Sequence, residues 1–217
     1  MSAPARWFRS GRDGWHAGAY EWYFTRTPLG RALRRRDTEL IFGVIDEVIA
    51  PTDAVLEVGA GTGNYALPMS LRCARVVALE PSTAMRDHLH GRLTHEDAGR
   101  VEARPGHLPD GLPEAERFEG VVCLGVLNYV ADLDGALQAL AARLTPDGWL
   151  VFSVPPRSLE GRVHVLVDML QRRRVYLRRR GEAAEAAGRA GLVVERVGTA
   201  GVTRGGITTV VRVRAAR

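Results

Sequence analysis

The chain has 217 residues, 46% hydrophobic and 25% charged, with 24 Gly, 11 Pro and 2 Cys, which fits one globular domain and excludes a disordered, collagenous or disulfide-framed chain. The formal net charge is +5, and all 30 basic residues are Arg. Having no Lys removes a Walker A or kinase-type phosphate Lys, a Schiff-base Lys and a Lys general base; a GC-rich coding sequence accounts for the bias.

Residues 1–28 concentrate aromatics, with Trp7, Phe8, Trp15, Tyr20, Trp22, Tyr23 and Phe24. Aromatic surface gains from burial, so this segment is expected to lie over the core or a ligand. It has no apolar stretch after its Arg residues and does not read as a secretory signal. No run approaches the roughly 18 apolar residues that span a bilayer. Together with two lone Cys, Cys73 and Cys123, expected as buried thiols, this points to a reducing cytoplasm. Leu40, Ile41, Val44, Ile45, Val48 and Ile49 recur at helical spacing, predicting a helix over 38–49 capped by Asp37 and stopped before Pro51.

From residue 54 strands alternate with helices. Strands are expected at 54–58, 75–79, 100–103, 120–124, 149–154, 192–197 and 207–213, with helices near 64–72, 82–93, 132–144 and 182–190. Near-continuous Val, Leu and Ala in the strands imply a sheet covered on both faces. The alternation implies βαβ units and a doubly wound α/β sheet. Only the last two strands lack a helix between them, so residues 198–206 are expected to form a hairpin connection and the last strand to run antiparallel.

The stretch Val55-Leu56-Glu57-Val58-Gly59-Ala60-Gly61-Thr62-Gly63-Asn64 runs a buried strand into alternating glycines and then a helix. Glycine permits positive φ and close approach of a ligand to the backbone. Glu80, 17 residues beyond Gly63 at the tip of the next strand, can accept both hydroxyls of a ribose. The G-x-G-x-G spacing is not that of dinucleotide binders. Glu57 would repel a pyrophosphate and suit a cation, which favours a ligand with an ammonium and no phosphates, such as S-adenosylmethionine (SAM).

This stretch resembles motif I of the class I SAM-dependent methyltransferases, and Leu79-Glu80-Pro81-Ser82 resembles their acidic second motif. Residues 118–130, FEGVVCLGVLNYV, are similar to the family's fourth strand and following loop. Residues 144–151, LTPDGWLV, are similar to its L-x-P-G-G-x-L fifth-strand start, with Asp147 in place of the first Gly. The general type is similar to the ubiquinone/menaquinone-biosynthesis methyltransferases.

The resemblance implies a Rossmann-like doubly wound sheet of seven strands in the order 3-2-1-4-5-7-6. It implies one methyltransferase domain over residues 1–217, with a helical cap over 1–50 and a substrate-cover insertion over 155–181. It also implies SAM as cofactor and S-adenosylhomocysteine (SAH) as product. Cofactor contacts are then expected from Glu57, Gly59, Ala60, Gly61, Gly63, Glu80, Pro81, His107, Leu108, Leu124 and Gly125. His107 stands where the family usually has an acid facing the adenine amino group. His16, Tyr20, Tyr23 and Tyr129 are the catalytic candidates, His107 and Asn128 having been weighed beside them, and no metal is expected.

The absence of N-P-P-Y, Pro-Cys and Lys-based motifs disfavours methylation of adenine amines, pyrimidine C5 and ribose. The expected acceptor is a small molecule attacked through O, N or C, such as a bacterial secondary metabolite. An RNA or protein acceptor and a SAM-binding regulator or cyclase are the rivals. Arg31, Arg34, Arg35 and Arg36 form one cluster, and Arg172–Arg174 with Arg178–Arg180 another, read as a helix over 172–180. An anionic acceptor, a nucleic-acid backbone, an anionic membrane surface and a solvated helical face are the readings of these clusters.

Overall fold

Hydrophobic strands and amphipathic helices assemble a seven-stranded sheet in the order 3-2-1-4-5-7-6 in the computed structural model. The structure describes residues 28–94, 97, 99–159, 162, 174–179, 181–200 and 208–215. The strands are β1 (Ala54–Val58), β2 (Arg75–Leu79), β3 (Val101–Arg104), β4 (Phe118–Cys123), β5 (Leu144–Val154), β6 (Leu192–Ala200) and β7 (Thr208–Ala215). β1 to β5 are mutually parallel, and β7 runs antiparallel to both β5 and β6.

Helix α1 (Pro28–Ile45) differs from the expected 38–49 at both ends. Its buried stripe is Ile41, Phe42, Val44 and Ile45. Val48 and Ile49 follow in a turn closed by Val48 N–H donating to the Ile45 carbonyl. The apolar periodicity continued past the helix because these residues still touch the core from the turn. The start lies ten residues before the expected 38, because the strong apolar stripe begins at Leu40 and the spacing of Leu29, Ala32 and Leu33 among four Arg is weaker.

α1, α2 (Ala66–Ser70) and α3 (Thr83–His90) cover one face of the sheet, where Ile45, Met69 and Leu89 pack on Val55, Val76 and Val151. α4 (Leu133–Ala141) and α5 (Glu182–Arg189) cover the other, where Leu137, Leu140 and Ala186 pack on Leu56, Val121 and Phe152. Burial on both faces explains strands that are apolar along their length. Ser82 caps α3 by accepting the Met85 N–H at 3.3 Å. Asp132 caps α4 by accepting the Gly135 N–H at 2.9 Å. α2 is five residues long rather than the expected nine, because residues 61–65 remain in turns.

β5 starts at Leu144, five residues before its expected start. Asp147, where the family pattern has Gly, takes φ 63°. That left-handed geometry costs a side chain about 1 kcal/mol, which Gly avoids. Asp147→Gly is therefore expected to leave stability unchanged or raise it by up to about 1 kcal/mol, read as the chemical-denaturation midpoint.

The thiols of Cys73 and Cys123 are both buried. Burial pushes the Cys73 thiol up to about 11, and burial raises Cys123 as well. Neither is a reactive thiolate at neutral pH.

Candidate functional site

The C-terminal ends of β1, β2, β4 and β5 lie along one edge of the sheet. β1 is flanked by β2 on one side and β4 on the other, so the winding reverses between β1 and β4. A crevice opens at such a switch point, and ligands of doubly wound sheets bind there. The loops that leave β1 and β4 meet at this place, where Gly59 packs on Val126.

The glycine loop is held from beneath. Gly59 and Ala60 N–H groups donate to the Leu79 carbonyl at 2.8 and 2.9 Å. Gly61 N–H donates to Glu80 Oε2 at 3.0 Å, and Ser82 N–H to Glu80 Oε1 at 2.9 Å. Gly63 N–H donates to the Ala60 carbonyl at 2.9 Å. These donors are spent inside the protein, so the loop does not present the free N–H cradle that phosphates need.

The three loop glycines all have positive φ but different surroundings. A Cβ at Gly59 would strike the Val126 side chain, and one at Gly63 would lie 2.9 Å from Leu89 Cγ. A Cβ at Gly61 would stand in open space. Of the three, only Gly61 has no neighbour within 4 Å of an added Cβ among the described residues. Gly59 and Gly63 serve the packing of the loop on its neighbours.

Glu57 is 2% exposed. Its Oε2 is buried with no hydrogen-bond partner among the described residues, while the Ala66 N–H donates to the carboxyl. Loss of hydration, and then the charge of Glu80, push its pKa up to about 8. An orphaned buried carboxyl of this kind is costly unless a donor or cation completes it. Glu80 itself is 7% exposed. Each of its oxygens accepts a backbone N–H, from Gly61 and from Ser82.

On the β4 side, Leu124 is buried and Gly125 has φ 70°, with no described residue within 4 Å of an added Cβ. Gly125 N–H donates to Ser153 Oγ at 2.9 Å. Ser153, at the end of β5, is a part of the site that sequence reading did not select, for a lone Ser in an apolar strand gives no signal. Tyr129 is half-buried in a single 3-10 turn, Leu127–Tyr129. Ala60 is buried and Pro81 half-buried in the two loops. His107 is exposed, with Nδ1 3.1 Å from the Leu108 carbonyl, and Leu108 is buried. His16, Tyr20 and Tyr23 lie outside the described residues.

These features fit a cationic, phosphate-free nucleoside. The orphaned Glu57 oxygen suits an ammonium, Glu80 a ribose, and the space beside Gly61 and Gly125 the chain between. A separate depression lined by Leu71, Arg72, Cys73 and Arg100 lies at the other edge of the sheet, beside the starts of β2 and β3.

The Arg-rich reading needs correction. Residues 174–179 are not helical. Arg178 pairs with Pro156 in a parallel bridge and is 9% exposed. Arg178 bonds Glu182 at 3.2 Å, and Arg179 lies near Glu182 and Glu185 at 3.9 and 3.8 Å. The acids of α5 thus neutralise the end of the stretch, which a count over 172–180 alone missed. Arg172, Arg173 and Arg180 lie outside the described residues.

A family profile described as "Methyltransferase domain" matches residues 29–197. The chain belongs to this methyltransferase domain family. Its sheet order and ordered motifs place it in the class I SAM-dependent superfamily. Among relatives of this methyltransferase domain, a protein-L-isoaspartate O-methyltransferase of Nitrobacter winogradskyi is 34% identical over 104 residues, 48% of this chain and 45% of that protein. A ubiquinone biosynthesis O-methyltransferase of Actinobacillus pleuropneumoniae serotype 7 is 29% identical over 119 residues, 52% of this chain and 50% of that one. The chain spans about half the length of these curated relatives. Magnesium protoporphyrin IX methyltransferase of Synechocystis PCC 6803, solved with bound SAH, superposes with TM-score 0.73 at 18% identity, covering 95% of this chain and 94% of that one. That likeness concerns the fold. Among the described residues, no helix is long and apolar enough to cross a membrane.

Proposed function

We propose that this methyltransferase domain binds SAM at the β1–β4 switch point and directs its methyl group to a small-molecule nucleophile, releasing SAH. The single observation that carries the reading is the buried Glu57 carboxyl, whose Oε2 has no hydrogen-bond partner among the described residues, beneath a glycine loop whose Gly59, Ala60, Gly61 and Gly63 N–H groups are bonded within the protein. SAM supplies a methyl group already activated on a sulfonium. Glu57 holds the ammonium, Glu80 the ribose, and the space beside Gly61 and Gly125 admits the chain between them. Leu108 and Leu124, both buried, give the pocket apolar walls that exclude water.

Aligning a nucleophile with the methyl–sulfur axis lowers the barrier by removing orientational freedom, worth up to about 7–11 kcal/mol in well-oriented systems. An ordinary phenol, such as the loop offers at Tyr129, is a poor proton acceptor at neutral pH. Proximity and orientation, not proton abstraction from this loop, therefore account for the chemistry assigned here.

A small acceptor is favoured over RNA or protein. Residues 174–179 of the stretch read as a docking helix are not helical, Arg178 is turned inward, and Arg179 faces two Glu side chains. The reading is tested by incubating the protein with methyl-labelled SAM and, separately, small metabolites of a bacterial extract, RNA and protein. Label is expected in the small-molecule fraction. Label in RNA or protein would overturn the acceptor class, and SAM binding without transfer to any fraction would leave a binding protein.

Glu80→Ala is expected to weaken SAH binding by about 1–3 kcal/mol in calorimetry. It should also lower the thermal midpoint, because the Gly61 and Ser82 N–H groups lose their acceptor. Unchanged affinity would remove Glu80 from the ribose.

A further inference from the structure

We infer that Arg178 is a positioning residue that sets the pose of the loop after β4, residues 124–131, over the candidate cofactor pocket. This rests on the functional reading above, in which that loop lines the pocket. Arg178 is buried, whereas its described neighbours Arg174 and Arg179 are exposed. Its Nη2 donates to the Val130 carbonyl at 2.5 Å and the Ala131 carbonyl at 3.3 Å, and its Nη1 bonds Glu182 Oε1 at 3.2 Å. Its own N–H donates to the Pro155 carbonyl, and its carbonyl accepts the Arg157 N–H, both at 2.9 Å. One residue thus ties together the end of β5, the far end of the loop and the start of α5.

Two residues earlier, the Tyr176 N–H donates to the Asn128 carbonyl at 2.8 Å. Arg174 and Arg178 lie over the Tyr176 ring, at 5.2 and 5.8 Å from its centre. The loop's near end is fixed differently, by Gly125 N–H on Ser153 and by Val126 against Gly59. The far end takes its side-chain tie from Arg178. The Arg178 Nε is buried without a partner among the described residues. A purely structural plug would be better made of apolar atoms. The Nη2 group instead donates to two consecutive carbonyls while Nη1 is held by Glu182, an oriented division of donors that an apolar residue lacks and a flexible ammonium does not pre-organise.

The test uses Arg178→Met, Arg178→Lys and Glu182→Gln in the full chain, with SAH as the probe. Arg178→Met is expected to speed amide exchange across 126–131 and at Tyr176 by tenfold or more, with residues 54–63 unchanged. It should raise the SAH Kd about tenfold, since a displaced pocket wall loses its contacts. Arg178→Lys, which keeps the charge and N–H donors but not the planar two-nitrogen reach, should recover part of both effects, and it carries the test if the Met variant does not fold. Glu182→Gln leaves the carbonyl ties in place and should change the Kd less than about twofold. A lower thermal midpoint with unchanged Kd and unchanged exchange in 126–131 would overturn the inference and leave Arg178 a brace of the fold. The exchange arm needs no ligand. Wild type failing to bind SAH would therefore sink the functional reading separately.

Discussion

Gly61→Val is expected to abolish detectable binding of SAM and SAH while leaving a folded protein. The residue has φ 55°, and a Cβ there meets nothing within 4 Å. Among the described residues the added Cβ therefore meets no protein atom, and the side chain is expected to project into the space proposed for the ligand. The backbone strain of a β-branched residue in this region is about 1–3 kcal/mol, against a typical domain stability of about 5–15 kcal/mol. Folding should survive with a lowered midpoint. Binding should not, because the branched side chain and the ligand's methionine portion need the same volume. Gly59→Val is the contrast, since its side chain would collide with Val126 and its loss of binding would come with loss of stability. Calorimetry with SAH beside a thermal melt separates the two variants. Near-native affinity in a well-folded Gly61→Val protein would place the ligand elsewhere.

Much of this architecture was legible from local chemistry. The parallel strands read correctly because burial on both faces makes them apolar along their whole length, as in Val76-Val77-Ala78-Leu79. The glycine loop was legible because its spacing and the acids Glu57 and Glu80 form one pattern. What escaped reading depends on partners far apart in sequence. Gly59, Gly61 and Gly63 look alike in the chain, and only Val126 and Leu89 distinguish the packed pair from the open one. Arg178 is one of six arginines in its stretch, and its burial follows from the carbonyls of Val130 and Ala131, almost fifty residues away. Helix α1 was misplaced for a local reason, because amphipathic periodicity marks what touches the core, not where the backbone is helical.

Glu57 gives the prediction with the clearest pH signature. In the free protein its carboxyl, held up to about 8, is mostly protonated at pH 7. In the unfolded chain it titrates near 4.5. Between these values the folded state binds the extra proton, so the Glu57 contribution to stability is present in full below about pH 4.5 and is lost as pH rises through about 8. Glu57→Gln is neutral throughout and should remove this slope, leaving the variant more stable than wild type at pH 8 by an amount on the order of a few kcal/mol. Ligand binding should show the opposite trend. An ammonium placed against Glu57 favours the carboxylate, so binding at pH 7 is expected to release close to one proton from the protein, and affinity should climb by up to about tenfold per unit between pH 6 and 8. SAH titrations in buffers of different ionisation enthalpy count that proton directly. Glu57→Gln should release none, bind more weakly at pH 8 and lose the pH dependence. If wild type releases no proton and the Gln variant binds equally well, Glu57 does not meet the ammonium. The cost of its burial would then need another explanation, because a carboxyl left without a partner in the core destabilises the fold it sits in.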